Sequence, residues 1–166
     1  MLITLDIDNT VADGSHRDHF LQEDPPNWTA FISPEEMAKD TVIKGAVEGV
    51  RALQNTGATL VFVTGRNEGL RTITANWIKQ NLGIDTDYNN LLMRPLGNDQ
   101  KPTEVKRRLL DKLIYRFTPP WLCIDDDLYL DGVFRDFGAI HLKAPECWSI
   151  ICPSSAGLPE EGFWRK

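Results

Sequence analysis

Residues 2–10 read LITLDIDNT, and this stretch decides the fold. Its apolar start, residues 2–5, is typical of a short buried strand, and it runs directly into Asp6 and Asp8. The two carboxylates are two positions apart, so on an extended backbone they point to the same side, with Ile7 opposite. A sheet interior does not tolerate two unpaired carboxylates. Asp6 and Asp8 must therefore lie at the edge of the sheet, bind a cation, or both.

Strand-like and helix-like stretches alternate through the rest of the chain. The predicted strands are residues 2–5, 58–63, 91–93, 121–124 and 139–142, and the predicted helices are residues 44–56, 68–82, 102–116 and one that ends near residue 137. This alternation favours parallel βαβ units, and so an α/β fold built as a three-layer Rossmann-like parallel sheet.

Two segments fall outside this alternation. Residues 11–43 are irregular around Pro25 and Pro26, and we predict that they form a small cap insert between the first strand and the first long helix. Residues 145–166 are rich in Pro, Gly and Ser, which predicts an irregular C-terminal tail on the surface. We interpret residues 1–166 as a single domain, in keeping with the chain length.

The composition is that of a globular protein. Hydrophobic residues make up 42% of the chain and charged residues 25%, which argues against disorder and against a disulfide-stapled miniprotein. The 24 acidic and 18 basic residues give a net charge of −6. Proteins that coat nucleic acid nonspecifically are usually basic, so that class is disfavoured. An enzyme that grips a few nucleotides through a local basic patch remains compatible with this charge.

Cysteine usage points to a reducing compartment. The three cysteines include no CxxC pair, so we expect neither a disulfide framework nor a zinc site. No apolar run approaches the roughly 20 residues of a membrane helix, and no basic stretch precedes the first strand. We predict a cytoplasmic location, in the cytoplasm of the host cell if the protein is viral. The sequence leaves the oligomeric state open.

Three polar clusters follow predicted strands: the Asp6 and Asp8 pair, residues 64–66 (Thr-Gly-Arg) and residues 125–127 (Asp-Asp-Asp). The carboxyl ends of parallel strands share one edge, where ligands of such sheets bind. A dense set of carboxylates suits Mg²⁺, and a hydroxyl, a glycine and an arginine suit phosphate oxygens. Each cluster alone also fits a bland interpretation, that of solvated turns.

Basic and aromatic residues offer weaker signals. Between residues 94 and 116 there are seven basic and three acidic side chains, an excess that suits a nucleic-acid backbone. For Arg107, Arg108 and Lys112 we prefer the alternative of a solvated helix face. Trp28 and Phe31 either stack on a base or pin the insert to the domain.

The clusters together resemble the four motifs of the haloacid dehalogenase superfamily, which are, in order, the DxDxT run from Asp6, the run at residues 64–66, a lysine near a helix start (Lys106), and the paired aspartates at residues 125–126. The resemblance covers most of the chain. It implies the haloacid-dehalogenase-like version of the predicted sheet and a phosphatase activity.

A narrower likeness is to the 3′-phosphatase domain of bacteriophage polynucleotide kinase/phosphatases. It rests on His16-Arg17, residues 24–27, the Thr-Gly-Arg run, residues 74–77, Met93-Arg94, residues 99–106, the paired aspartates and residues 146–148. Arg17 and Arg66 match arginines that this family uses near the substrate phosphate. The chain contains no GxxxxGK[ST] loop, so 5′-kinase activity is not expected.

The resemblance assigns chemical roles to the motif residues. Asp6 is implied as the nucleophile that forms an aspartyl-phosphate. Asp8 is implied as the general acid to the leaving alcohol and then as the general base to water. Thr64 and backbone N–H groups, with Gly65 allowing close approach, are implied to hold the phosphoryl oxygens. Lys106 is implied to neutralise charge on Asp6 and on the phosphoryl group.

A magnesium site is implied as well, formed by Asp6, the Asp8 carbonyl and Asp126, with Asp125 in support. The physics agrees, because a carboxylate that attacks a phosphate dianion faces like-charge repulsion. Mg²⁺ and Lys106 would offset that repulsion.

Two departures from the family pattern stand out. The family usually has an acidic residue a few positions before the motif lysine, and here either Asp99 or Glu104 is a candidate for that place near Lys106. Asn9 stands where glycine is common, a mild change because asparagine tolerates unusual backbone angles.

Three hypotheses follow for the function. The first is a Mg²⁺-dependent phosphatase that removes 3′-phosphates from DNA or RNA ends, and also acts on 3′-nucleotides, since a small cap leaves the cleft open to a polymer end. The second is a nucleotidase or other small-molecule phosphatase with the same mechanism. The third is a noncatalytic binding module, against which the Asp6 and Asp8 pair argues.

Overall fold

A computed structural model describes residues 1–152 of the chain, so the part of the predicted tail from residue 153 onward lies outside the described residues. The strands are β1 (Leu2–Leu5), β2 (Ala12–Asp13), β3 (Thr41–Val42), β4 (Thr59–Asn67), β5 (Leu91–Arg94), β6 (Leu122–Asp125) and β7 (Ile140–Lys143). The helices are α1 (Trp28–Phe31), α2 (Pro34–Met37), α3 (Ala46–Asn55), α4 (Arg71–Leu82), α5 (Pro102–Ile114), α6 (Asp131–Asp136) and α7 (Cys147–Ile151).

Five strands form one parallel sheet in the order β5-β4-β1-β6-β7. The α/β class predicted from the sequence is confirmed. β1 is the central strand and pairs with β4 on one side and with β6 on the other. The residues that follow β1 therefore lie between the carboxyl ends of its two neighbours, which is where the predicted polar clusters fall.

Helices cover both faces of the sheet and bury two apolar cores. On one face α3, α4 and α7 pack around Phe62, Trp77 and Trp148. On the other face Leu110 of α5 and Phe134 of α6 pack against Val61. Val61 and Phe62 are neighbours in β4 and point to opposite faces, as the period of a strand requires. The predicted three-layer architecture is confirmed.

Residues 11–43 contain more order than the sequence indicated. They begin and end in a two-stranded antiparallel stem, in which Ala12 pairs with Val42 and Asp13 with Thr41. Between the strands lie a 3-10 helix, Ser15–Gln22, and the one-turn helices α1 and α2. Each short helix is started by a side chain, since Asn27 and Ser33 accept backbone N–H bonds at their N-termini.

The segment after Pro145 differs from the predicted irregular tail. It contains α7, and Trp148 on that helix is only 1% exposed. The indole N–H of Trp148 donates a 2.7 Å hydrogen bond to the carbonyl of Thr10, in the loop after β1. The prolines and glycines of this segment predict an irregular tail, but one of its residues, Trp148, belongs to the core. Among the helices of residues 1–152, none has the length and apolar character that a membrane-spanning helix needs.

Gly49→Ala is expected to destabilise the domain, although alanine is the better helix former by about 1 kcal/mol. A β-carbon at Gly49 would lie 2.4 Å from Cε3 of Trp148, and overpacking of this kind costs about 1–3 kcal/mol. The measurement is the free energy of unfolding in urea. Gly132→Ala in α6 is the matched control, because a β-carbon there meets no atom within 4 Å. Equal stability of the two variants would contradict the packing of α7 on α3.

Candidate active site

A tight loop after β1 separates the two motif aspartates. The carbonyl of Ile7 accepts the N–H groups of Thr10, Val11 and Ala12 within 3.2 Å. Asn9 has a left-handed φ of 56°, the conformation that the glycine of related chains would take easily. Its side chain lies close enough to Asp126 to oppose the rise in the pKa of that carboxyl. Asparagine at this position therefore provides the turn and a contact that glycine lacks.

Lys106 connects two buried carboxylates. Its Nζ lies 3.1 Å from Oδ1 of Asp6 and 2.5 Å from Oδ2 of Asp125. Burial lowers the pKa of Lys106, but the charges of Asp6 and Asp125 reverse that effect, so the net pKa is raised and the ammonium is kept. Asp6, at the end of β1, and Asp125, at the end of β6, are thus held on one cation from α5.

The oxygen cluster around Lys106 has the donors of a divalent cation site. Carboxylate oxygens of Asp6, Asp125 and Asp126 all lie within 4.8 Å of one another. Burial raises the pKa of Asp6 well above its ordinary value, although Lys106 opposes the rise. Burial and the charge of Asp125 also raise the pKa of Asp126. A hard cation such as Mg²⁺ would relieve this crowding, so the residues present fit the metal.

Asp125 has less freedom than its neighbours to bind a metal. One oxygen accepts a hydrogen bond from the Lys106 ammonium, and the other accepts one from the backbone N–H of Asp127 at 3.1 Å. Asp6 and Asp126 are the better placed carboxylate ligands. The Asp8 carbonyl as a further ligand stays a prediction.

Asp8 faces two arginines. Arg66 donates two hydrogen bonds to its carboxylate, from Nε at 3.0 Å and from Nη2 at 2.8 Å. Arg17 donates a third, from Nη2 at 2.7 Å. Burial raises the pKa of Asp8, but Arg66 and Arg17 lower it by more, so the net pKa lies below the ordinary value. The structure thus brings Asp8, Arg17 and Arg66 together, and Asp8 is held as a carboxylate.

Asp40 is a site residue that the sequence analysis missed. Its buried carboxylate accepts hydrogen bonds from Nε of Arg17 at 3.0 Å and from Nη2 of Arg66 at 2.6 Å. The indole N–H of Trp77 donates to its backbone carbonyl at 2.8 Å. In the sequence Asp40 is only an aspartate directly before β3. Nothing in its spacing relates it to the other motifs, so sequence reasoning could not identify it.

The two arginines therefore share two carboxylates, Asp8 and Asp40, and the group is close to neutral. One donor of the two arginines remains without a partner in the described chain. Within residues 1–152, Nη1 of Arg66 is buried and has no hydrogen-bond partner. A buried donor without a partner is costly, so an incoming anion has a group to satisfy here.

Thr64, Gly65 and Arg94 also belong to the immediate surroundings of Arg66. Thr64 is fully buried, and its hydroxyl oxygen accepts the backbone N–H of Arg66 at 3.1 Å, which leaves the hydroxyl proton to donate elsewhere. The carbonyl of Gly65 accepts Nε of Arg94 at 2.9 Å. A β-carbon at Gly65 would meet only Nη2 of Arg94, at 3.9 Å. The fold itself does not demand glycine there, in contrast to Gly14, where a β-carbon would lie 2.6 Å from the Arg17 guanidinium.

Neither candidate for the acidic neighbour of Lys106 contacts it. Asp99 and Glu104 are both exposed, and the contacts of Lys106 within the described chain are with Asp6 and Asp125. The solvated-face interpretation holds for the three residues to which it was applied, since Arg107, Arg108 and Lys112 are all exposed. Val105 on the same helix is buried.

Asp8 and its two arginines line a cavity of about 430 Å³, and Asp6 and Lys106 lie behind this lining, buried below the loop after β1. Its charged wall includes Asp8, Arg17 and Arg66, and its apolar wall, from the insert, includes Trp28 and Phe31. A buried carboxylate beside a cation can attack an electrophile, and a second carboxylate at the rim can exchange protons with solvent. The guanidinium groups on this second carboxylate suit an anionic substrate.

Fold and site define a phosphatase of the haloacid dehalogenase superfamily. More narrowly, the family model of the polynucleotide kinase PNKP phosphatase domain matches residues 1–144, and the chain belongs to that family. Comparison of the sequence with curated proteins gave no match.

Several solved structures share the fold. A chain of a Pnkp1/Rnl/Hen1 complex superposes with a TM-score of 0.64 at 19% identity, covering 86% of this chain and 44% of that one. The class C acid phosphatase of Bacillus anthracis gives 0.60 at 19% identity, with 87% and 65% covered. The D,D-heptose 1,7-bisphosphate phosphatase of B. bronchiseptica, solved with magnesium and phosphate, gives 0.52 at 19% identity, with 84% and 78% covered. The present chain spans less than half of the repair-complex chains that it matches.

Asp40→Asn is expected to lower the free energy of unfolding by about 3 kcal/mol, because it leaves Arg17 and Arg66 buried with one counter-charge too few. Asp18→Asn is the matched control, since Asp18 lines the same cavity but is exposed. Urea denaturation at neutral pH measures both. Loss of stability in Asp18→Asn alone would contradict the assigned pairing.

Proposed function

We propose that this domain is a Mg²⁺-dependent phosphomonoesterase that removes 3′-phosphates from the ends of DNA or RNA, and also from 3′-nucleotides. The observation that carries the proposal is the pairing of two unequal carboxylates. Asp6 is buried and forms an ion pair with Lys106, whereas Asp8 lies at the cavity wall and forms ion pairs with two arginines. A polynucleotide end as substrate is supported by the family match and by the repair complexes among the neighbours.

Asp6 begins the reaction. One of its oxygens attacks the phosphorus, and the bond from phosphorus to the 3′-oxygen breaks, which leaves the phosphoryl group on Asp6. Asp8 gives its proton to the departing oxygen, which leaves as a 3′-hydroxyl. Lys106, at 3.1 Å from Asp6, stays positive through the step and offsets the charge that gathers there.

Asp8 completes the reaction in its ionised form. It takes a proton from a water molecule whose oxygen attacks the phosphorus. The bond from phosphorus to Asp6 breaks and phosphate leaves. Asp8 then loses its proton to solvent as the arginines bind it again, and it takes up another from solvent when the next phosphate is bound. One residue serves both steps because it lies at the wall of the cavity, where water and the leaving group both reach it.

The arginines link substrate binding to the proton on Asp8. In the free domain Arg17 and Arg66 lower the pKa of Asp8 and keep it ionised. A bound phosphate dianion gives the guanidinium groups a second anion, with Nη1 of Arg66 available at once. Their hold on Asp8 weakens, and its affinity for a proton rises when the leaving oxygen requires one.

Asp6 and Asp126 would hold Mg²⁺, with Asp125 in support and the Asp8 carbonyl as a further ligand. When bound, the metal supplies charge neutralisation between the Asp6 carboxylate and the phosphate oxygens. The residues around it orient the nucleophile and exclude bulk water from its buried side.

The first experiment compares two forms of one oligonucleotide, with the phosphate at the 3′ or at the 5′ end. We expect phosphate release from the 3′ form alone, in Mg²⁺ and not in chelator. Asp6→Asn is expected to abolish release, because an amide is no nucleophile here. Asp111→Asn, at an exposed position of α5, is the matched control and keeps full activity.

The other outcomes separate the competing functions. Equal or faster turnover of mononucleotides would favour a nucleotidase. Release from neither oligonucleotide, with turnover of small phosphate esters, would overturn the polynucleotide substrate and keep the phosphatase. No activity on any ester, with nucleic-acid binding unaffected by Asp6→Asn, would favour a binding module.

Arg17→Ala is expected to lower kcat/KM on the 3′-phosphorylated oligonucleotide roughly 100- to 1,000-fold, the usual cost of one lost donor to the reacting group. Arg51→Ala, at an exposed position of α3, is the control. Steady-state kinetics measures the effect, and circular dichroism checks that both variants are folded. A rate near that of the parent would remove Arg17 from the phosphate site.

A further inference from the structure

The insert carries a tryptophan that the fold does not use. Trp77 and Trp148 are buried, 3% and 1% exposed, and each donates its indole N–H to a backbone carbonyl. Trp28 is 60% exposed, and within residues 1–152 its indole N–H has no partner. Its one ring contact is an edge-to-face pairing with Phe31, at 5.8 Å between centroids. Trp28 is therefore not held as a structural tryptophan is.

Trp28 lines the same cavity as the two arginines that bind Asp8. The Arg17 guanidinium stacks over the ring of Phe31, with Cζ 4.4 Å from the centroid, and Phe31 in turn contacts Trp28. All three line the cavity that contains Asp8. A phosphate ester bound at the charged wall would share this cavity with an exposed indole.

Asp18, Asn67 and Asn98 line other parts of the cavity, but the apolar wall itself lacks the groups that read base edges. The insert contributes Trp28, Phe31, Ile32 and Met37 to it. None of these side chains, apart from the indole N–H, donates or accepts a strong hydrogen bond. A flat ring is the part of a ligand that such a wall can recognise, and stacking on an aromatic side chain tolerates every base.

From this arrangement we infer that Trp28 is the specificity-determining residue that stacks on the base of the 3′-terminal nucleotide, the one that carries the phosphate. This inference rests on the proposed function and adds to it that the terminal base of the substrate is recognised by stacking. It predicts that Trp28 contributes equally to binding whichever base is terminal, and contributes little when the base is missing.

The test is a substrate and variant cycle. The substrates are a 3′-phosphorylated oligonucleotide and the same strand with an abasic tetrahydrofuran unit as the phosphorylated residue. The variants are Trp28→Ala, Trp28→Phe and Trp121→Ala. Trp121 is the matched control, 51% exposed but directly before β6, at the opposite edge of the sheet from the site.

We expect Trp28→Ala to raise KM on the normal strand roughly 10- to 100-fold, the range for one lost stacked base. Its kcat should stay within about two-fold, because the reacting groups are untouched. On the abasic strand, Trp28→Ala and the parent should have the same KM. Trp28→Phe should restore most of the loss, and Trp121→Ala should change nothing.

Contrary outcomes are distinguishable. Equal losses on both strands would show that Trp28 only shapes the insert, and no loss on either would show that no base reaches it. Each result overturns the inference and leaves the proposed function intact. A parent domain that hydrolyses neither strand, while Asp6→Asn removes its activity on small phosphate esters, overturns the polynucleotide substrate and the inference with it.

Discussion

Buried carboxylates need cations, and this need governs how the carboxyl edge of the sheet is built. Lys106 of α5 joins Asp6 after β1 to Asp125 of β6. Arg66 of β4 joins Asp8 to Asp40, the residue that precedes β3. An uncompensated ion in such surroundings costs several kcal/mol. The elements of the sheet, one covering helix and the insert must therefore meet in one arrangement, and that arrangement is the site.

Two buried tryptophans hold the loops that carry these charges. Trp77 of α4 donates to the carbonyl of Asp40, and Trp148 of α7 donates to the carbonyl of Thr10. Each indole fills the same apolar core and ends in a polar atom that fixes a backbone. The core on this face thereby sets the position of the insert and of the loop after β1, although neither tryptophan belongs to the charged network.

Much of this could be predicted from the sequence, for a definable reason. Asp6, residues 64–66 and residues 125–126 each lie at the carboxyl end of an apolar strand, and parallel strands present such ends at one edge. Asp40 could not be found in this way, because it lies in an insert without periodicity. α7 was hidden by its proline-rich surroundings. The supposed acidic neighbour of Lys106 failed for a different reason, since contacts across the sheet, and not along α5, supply its partners.

Besides its stem of two residue pairs, the insert is joined to the rest of the domain by two ion pairs, Asp40 with Arg66 and Arg17 with Asp8. Anchoring of the insert and capture of an anion thus draw on the same two guanidinium groups. By thermodynamic linkage, whatever occupies those groups alters how firmly the insert is seated, and the seating of the insert alters anion affinity by the same factor. Because one ion network serves both purposes, seating of the insert and binding of the ligand are coupled.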